Sequence, residues 1–409
     1  MSQRLGVTAV VRTLAELGEF GAIAAIRRLL AEQTAPVPLL DVGDDAAAWQ
    51  PTPGRLAVQT TDLLIEGVHF SLEWFSWYDV GWKAMAVNIS DIAAMGAVPR
   101  AAVVSAGLKP DMAEDAWLDL YRGLIDCADT YGVRLIGGDT VISPTAAVVN
   151  VALHAESLDE TGALLRRDAA RSSDSLAVTG PLGASAAALT LLQGQRRNDG
   201  RPAQPVSDPG SGDSAAARRS VAPGTNLPAG PAAWRSGPSQ RVSAGGASGV
   251  QSAGRAPSAG EGREARVTPP AVPRALLRRH VHPRPRVEDG QRLLRAGIRC
   301  AMDVSDGLMA DLAKLCAASG LGAEVLAAAV PVDPDVRRAL PDQALELALT
   351  GGEDYQLLVC GPEALLREQG LVVIGRVTAS AGVHVINESG DEFPIHTAGY
   401  DAFLHQHHP

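Results

Sequence analysis

Lysine is nearly absent from this chain. Only Lys83, Lys109 and Lys314 occur in 409 residues, and none follows a glycine. A GxxxxGK(S/T) phosphate loop is therefore excluded, and the HRD and DFG signatures are missing as well, so any use of ATP proceeds without the P-loop or the protein-kinase apparatus. GxSxG, HExxH and a GxGxxG following a strand are also absent. The four cysteines, Cys127, Cys300, Cys316 and Cys360, are scattered and form no CxxC, which argues against a disulfide framework or a zinc–cysteine site. No apolar run approaches the roughly 18 residues of a membrane span. Glu16 and Glu19 interrupt the apolar N-terminus, which resembles neither a secretory signal nor a transit peptide. A net charge of −10 argues against a general nucleic-acid binder. The expectation is a soluble, cytoplasmic protein that binds neither nucleic acid nor membrane.

Hydrophobic residues make up 46% of the chain, enough for real cores. One stretch stands apart. Residues 196–273 contain 12 Gly and 11 Pro, one aromatic (Trp234), one leucine (Leu227) and no isoleucine. Ten arginines against five acids give the stretch +5, leaving −15 on the remainder. Gly and Pro at this density without a period predict a low-complexity, disordered insert, because too little apolar surface is present to offset chain entropy.

Strands and helices interleave on both sides of the insert, which predicts α/β or α+β halves. Apolar residues at helical spacing predict helices over Glu19–Glu32, Asp79–Met95 and Ala113–Tyr131, and beyond the insert over Arg286–Ala296 and Gly307–Ser319. Strands are expected at Leu56–Thr60, Ala101–Leu108, Val133–Ile136, Ala146–Ala155 and Asp174–Thr179. Ala301–Val304, Ala323–Leu326, Gln356–Cys360 and Val372–Val377 complete the set.

The chemistry lies in a recurring pattern, a short apolar strand ending in a small-residue turn that presents aspartate. It occurs at Leu39–Asp45, Ala57–Asp62, Leu135–Thr140 and Ala301–Gly307, with a further carboxylate, Asp91, three residues after Asn88 on a helix face. Carboxylates converging on one site repel unless cations sit among them, and hard oxygen ligands suit Mg2+ held together with substrate phosphates. Glycines at the turns let backbone N–H groups approach phosphate oxygens. The joint reading is an aspartate-rich polyphosphate site with several Mg2+ ions.

The segments VGDDAA, TTDLLIEGVHF, KAMAVNISDIAAMGAVP, LIGGDT, DVSDGL, LTGGEDYQLL and GYDAF occur in this order. Together they resemble the thiamine-monophosphate kinase family of the aminoimidazole ribonucleotide synthetase-like ATP-binding superfamily. The match runs over about residues 16–194 and 275–404. The resemblance implies a homodimer that phosphorylates thiamine monophosphate to thiamine diphosphate with ATP and Mg2+. Its N-terminal ATP- and Mg-binding domain would span 16–155, with a sheet that pairs across the dimer, and its C-terminal α/β domain would span 156–195 plus 274–404. Carried over by motif, Asp45, Thr60, Thr61, Asp62, Asp91, Asp139 and Asp303 would ligate Mg2+, with Asp306 on a further ion. Tyr121, Gly138, Asp139, Arg166 (or its neighbour Arg167) and Ser305 would contact ATP. His69, Glu353 and Tyr400 would bind thiamine monophosphate, Tyr400 by stacking on a cationic ring. The acceptor is itself a phosphate, already anionic, so direct in-line transfer needs no phosphoenzyme residue. Other ATP-using members of the superfamily are the alternatives, as is a non-catalytic relative because of the insert. The first cysteine, Cys127, and the end His405–Pro409 do not match the cysteine-dependent members.

Overall fold

The computed structural model describes residues 12–35, 39–40, 42, 45–198 and 272–394. Most of the expected insert, with Asp41, Asp44 and Tyr400, lies outside the described residues. Before the insert come α1 (Leu14–Leu30), β1 (Ala57–Ile65), α2 (Trp77–Ala94), β2 (Val98–Leu108), α3 (Glu114–Thr130), β3 (Arg134–Ile142), β4 (Val148–Glu156), β5 (Ser175–Val178) and α4 (Ala184–Asn198). After it come α5 (Arg274–Val281), α6 (Val287–Arg295), β6 (Cys300–Asp303), α7 (Leu308–Ser319), β7 (Gly322–Leu326), α8 (Pro334–Ala339), α9 (Ala344–Thr350), β8 (Leu357–Gly361), α10 (Glu363–Glu368), β9 (Val372–Thr378) and β10 (Gly382–Ile386).

The strands form two mixed sheets. The first has the order β1-β4-β2-β3, with β2 and β3 parallel and the other pairs antiparallel. The second has the order β10-β7-β9-β5-β8-β6, and β5, although it precedes the insert, is a central strand of it. The fold is therefore mixed α/β on both sides of the insert, as expected from the interleaved pattern. Among the described residues, no helix is long and apolar enough to cross a membrane.

Helix α2 joins the two parts. A capping box starts it, with the Ser76 hydroxyl accepting from the Asp79 N–H and the Asp79 carboxylate accepting from the Ser76 N–H. Nearly its whole length is buried, including Met85, Ile89 and Ile92, because it packs on α3, on β1 and β4, and on α6 and β6. Glycine makes these approaches possible. A Cβ on Gly81 would meet the Leu120 carbonyl oxygen at 2.0 Å, one on Gly123 the Tyr78 oxygen at 1.9 Å, and one on Gly290 of α6 the Ala93 oxygen at 2.0 Å. Backbones this close fix the height of each α2 residue against its neighbours, so the polar residues on α2 reach the site in one register.

Some boundaries differ from expectation. Helix α1 starts with a Thr13–Glu16 capping box and is broken at Gly18 (φ 66°), so its regular part begins near the expected Glu19. Strand β1 runs on to Ile65, which places Thr60, Thr61 and Asp62 inside a strand rather than in a turn. Asp139 is likewise inside β3. Threonines at consecutive positions favour an extended chain. Gly138 has a packing role as well, since a Cβ there would meet the Val104 carbonyl oxygen at 2.0 Å.

The close α2–α3 crossing sets the first prediction. Gly123→Ala should lower stability by about 3 kcal/mol, the upper range for overpacking, read as a fall in the urea midpoint. An unchanged midpoint would show that the helices do not cross so closely.

Candidate active site

Asp62 and Asp91 come from the first sheet and α2, and Asp303 is the last residue of β6. They line one open cavity of about 750 Å³ together with Ser305 and Asp306. Burial acts on all three, and neighbouring carboxylates add to it for two of them. Asp62 is pushed up from 3.8 to about 6, first by burial and then by the charges of Asp91 and Asp306. Asp303 rises to about 7, by burial and by Asp91. Asp91 is raised by burial, partly offset by a hydrogen bond from the Thr60 hydroxyl and by the charge of Arg167. The Ser90 hydroxyl donates to Asp303 Oδ2 at 2.7 Å, tying α2 directly to β6.

Two facing turns hold the second half of this wall. The Glu353 N–H donates to the Ser305 carbonyl at 2.7 Å and the Tyr355 N–H to the Val304 carbonyl at 2.9 Å. Glu353 (φ 65°) and Tyr355 (φ 50°) both adopt left-handed conformations, a local strain that the paired turns maintain. Asp311 at the start of α7 was not singled out by sequence. It is fully buried, and its Oδ2 accepts the N–H groups of Ser305 and Asp306 at 2.9 Å each, which shapes the Asp-rich turn. Lys314 bridges Asp311 at 2.8 Å and also contacts Asp306, so Asp306 already has a cationic partner.

A second set of side chains in and beside the same cavity carries a different chemistry. Lys83 on α2 is fully buried and binds Glu353 Oε1 at 2.6 Å and the His69 carbonyl at 2.9 Å. The Lys83 charge, with the contact of His280 Nδ1 at 3.4 Å, holds the Glu353 carboxyl well below the usual range in spite of burial. The Ser185 hydroxyl bonds His280 Nδ1 at 2.8 Å. His69 Nδ1 accepts the Ile65 N–H at 3.1 Å, which leaves the ring proton on Nε2. Burial and the Lys83 charge lower its pKa, so the ring is neutral at pH 7. Phe70 and Trp74 line the same cavity. Lys83, Ser185, His280 and Trp74 carry no motif of their own. Only the sequence neighbourhood of Lys83, in the segment that also holds Asp91, was a usable signal.

The remaining expected site residues lie elsewhere. Asp45 sits in an exposed bend before β1. The Thr61 hydroxyl bonds the Val151 carbonyl and Asn150 within the sheet. Gly138 pairs with Val104, Val104 with Val151, and Val151 with Asp62, so Gly138 and Asp139 are on the far edge strand from the Asp62 cluster. Tyr121 is buried, edge-on to Trp117 at 4.6 Å, and hydrogen-bonded to Thr140 beside Asp139. Arg166 is exposed and forks onto Asp168, with Nε to Oδ1 at 2.8 Å, whereas the charge felt by Asp91 is that of Arg167. Of the two arginines, Arg167 is therefore the one whose charge acts on Asp91.

Among the described residues no three His, Cys, Asp or Glu side chains stand ready-made as a metal cage. The arrangement is instead a set of hard carboxylates in one cavity wall, raised first by burial and, for Asp62 and Asp303, also by neighbouring carboxylate charge. A cation delivered with phosphate ligands relieves that repulsion, which is how Mg2+ usually binds.

Comparison with known proteins gives a consistent picture. Residues 43–155 match the AIR synthase related protein N-terminal domain, and residues 237–387 match the corresponding C-terminal domain. The chain is 30% identical over 398 residues to the thiamine-monophosphate kinase of Escherichia coli O157:H7, covering 94% of this chain and 98% of the relative. The crystal structure of thiamine-monophosphate kinase from Stenotrophomonas maltophilia K279a superposes with a TM-score of 0.63 at 31% identity, covering 90% of this chain and 96% of that one. AaThiL complexed with AMPPCP and TMP superposes with a TM-score of 0.61 at 27% identity, over 97% of this chain and all of that one.

The raised carboxylates yield a prediction whose sign can be fixed. Between about pH 4 and pH 7 the native state retains a proton on Asp303 that the unfolded chain has released. Stability from this group is therefore lost as pH rises through that window. In EDTA, Asp303→Asn should gain in melting temperature relative to the unsubstituted protein as pH goes from 5 to 7.5, and added Mg2+ with ATP should narrow the difference. A difference independent of pH would mean that Asp303 is not held in a repulsive cluster.

Proposed function

The chain belongs to the thiamine-monophosphate kinase family, and from that membership and its site we infer that it transfers the γ-phosphoryl group of ATP to thiamine monophosphate, yielding thiamine diphosphate and ADP. The observation that carries this reading is one cavity that brings two unlike sets of side chains together. Asp62, Asp91, Asp303 and Asp306 line it, and so do His69, Glu353, Phe70 and Trp74. The first set suits a metal polyphosphate. The second suits a flat cation that carries a phosphate.

The residues divide the work accordingly. Glu353, held ionised by Lys83 and His280, faces the positive thiazolium, and Phe70 and Trp74 supply an apolar and aromatic wall for its rings. The neutral His69 donates from Nε2 to the acceptor phosphate. That phosphate is anionic at neutral pH and needs no strong base, so no side chain has to remove a proton. Arg167 offers a charge for the ATP phosphates. Asp62, Asp91 and Asp303 would hold magnesium, with Asp306 available once it leaves Lys314. When bound, Mg2+ supplies charge neutralisation and in-line positioning of the two polyanions.

A homodimer is part of the proposal. The edge strands β1 and β3 of the first sheet leave Leu63 and, most of all, Ile142 (71% exposed) uncovered. Unprotected apolar edge strands are natural pairing surfaces.

With ATP, Mg2+ and either thiamine or thiamine monophosphate, chromatography should show product only from the monophosphate. Turnover of thiamine alone would sink the assignment. Asp62→Asn should cut kcat by roughly 10² at an intact fold, by analogy with loss of one charge-stabilising group. Glu353→Gln should raise KM for thiamine monophosphate and leave KM for ATP near its starting value. A shift confined to ATP would assign Glu353 to the nucleotide instead.

A further inference from the structure

We propose that an open cavity of about 1120 Å³ between α5 and the Glu353 turn is a second anion site, which takes the di- or triphosphate group of a small molecule. The stretch 274–286 that forms its floor holds five arginines and no acid, in a chain of net charge −10. Arg274, Arg278, Arg279, Arg284 and Arg286 all line the cavity.

Local pairing leaves most of these charges uncancelled. Each acid in the wall already has its own partners. Asp79 is bound by His282 at 2.6 Å, and Asp333 by Arg279. Asp354 accepts the N–H groups of Gly183 at 2.6 Å and Ala184 at 3.0 Å. Glu353 is bound by Lys83 at 2.6 Å. Among the described residues Arg274, Arg278 and Arg284 have no carboxylate partner, and Arg286 has only Asp289 at 3.8 Å. The Arg286 Nε is buried without any hydrogen bond, an unmet donor that a bound anion would satisfy.

Several guanidinium forks around one cleft match phosphate oxygens better than single carboxylates, because each fork binds two oxygens of one tetrahedral group. Pro283 and Pro285 flank Arg284 and fix its backbone, so little ordering is needed on binding. Leu277, Val281 and Trp74 give the cleft an apolar side for the organic part of the ligand. Trp74 and Glu353 line this cavity and the phosphoryl-transfer cavity alike, so a molecule seated here touches the wall of the reaction site. The proposal does not depend on which reaction that site performs.

The test is calorimetric titration of the full chain with inorganic tripolyphosphate in EDTA. Without metal, the aspartate cluster repels the probe, so binding reports the arginine cleft. Binding to one site is expected, weakened at least tenfold in the double variant Arg278→Glu, Arg284→Glu and unchanged in Arg337→Glu, Arg338→Glu on α8. Arg278 and Arg284 are exposed and have no carboxylate partner among the described residues, so their variants should keep the native circular dichroism. If the double variant fails to fold, Arg278→Gln and Arg284→Gln singly should each weaken binding several-fold. The inference is overturned by absent binding, by equal loss in both double variants, or by undiminished binding in the cleft variants, which would assign the probe to the ten arginines of 196–273. Tighter binding of an octaglutamate peptide than of tripolyphosphate would overturn it in favour of a protein partner.

Discussion

The structure is organised around burying Asp62, Asp91 and Asp303 in the wall of one cavity, where desolvation and neighbouring charge oppose their ionisation. Burial and mutual repulsion push two of them up to about 6 and about 7, so the cluster is an electrostatic cost that the fold sustains. What sustains it is helix α2. Its backbone contacts at Gly81, Gly123 and Gly290 leave no slack for Asp91 to withdraw, and the Ser90–Asp303 hydrogen bond pins the second sheet to the same helix. A protein that must bind a polyphosphate with its cations gains from this arrangement. The repulsion is relieved when the charged ligand arrives, so binding selects the metal-bearing form.

The scarcity of lysine acquires a structural meaning from the same balance. All three lysines are committed to carboxylates. Lys83 is under Glu353 at 2.6 Å, Lys109 lies on Glu66 at 3.1 Å, and Lys314 joins Asp306 and Asp311. None is free to cradle phosphates. The positive charge that phosphoryl transfer needs must enter with the substrate or come from arginine, which is the reverse of the P-loop solution. Beside the cavity Lys83 serves a carboxylate instead. Lys83 keeps Glu353 ionised at a strained backbone position, ready for a cationic ring.

Much of this was legible in the sequence, for identifiable reasons. The acidic segments marked Asp62, Asp91, Asp303 and Asp306 as one site, because short apolar runs ending in small residues and aspartate stand out locally. The long amphipathic helices and most strands were legible through their periodicity. Other features were hidden because their cause is distant in the chain. Helix α4 is alanine-rich and has no cap of its own in sequence. Its first N–H groups are capped by Asp354, 170 residues away from Ala184. Helix α5 is masked by its arginines. Lys83, His280 and Ser185 look like ordinary helix residues until the Glu353 turn meets them. Asp62 and Asp139 were expected in turns and lie in strands, where pairing across the sheet decided against the local glycine and aspartate signals. Asp139 ended on the far edge of that sheet.

The most direct test of the central claim is a crystal structure with Mn2+, AMPPCP and thiamine monophosphate, using the anomalous signal of manganese to locate the ions. The expected result is metal bound to Asp62, Asp91 and Asp303, between the nucleotide phosphates and the acceptor phosphate, with the Glu353 carboxylate beside the thiazolium. Metal peaks bound only by phosphate oxygens, or a thiamine ring beside the aspartates, would contradict it.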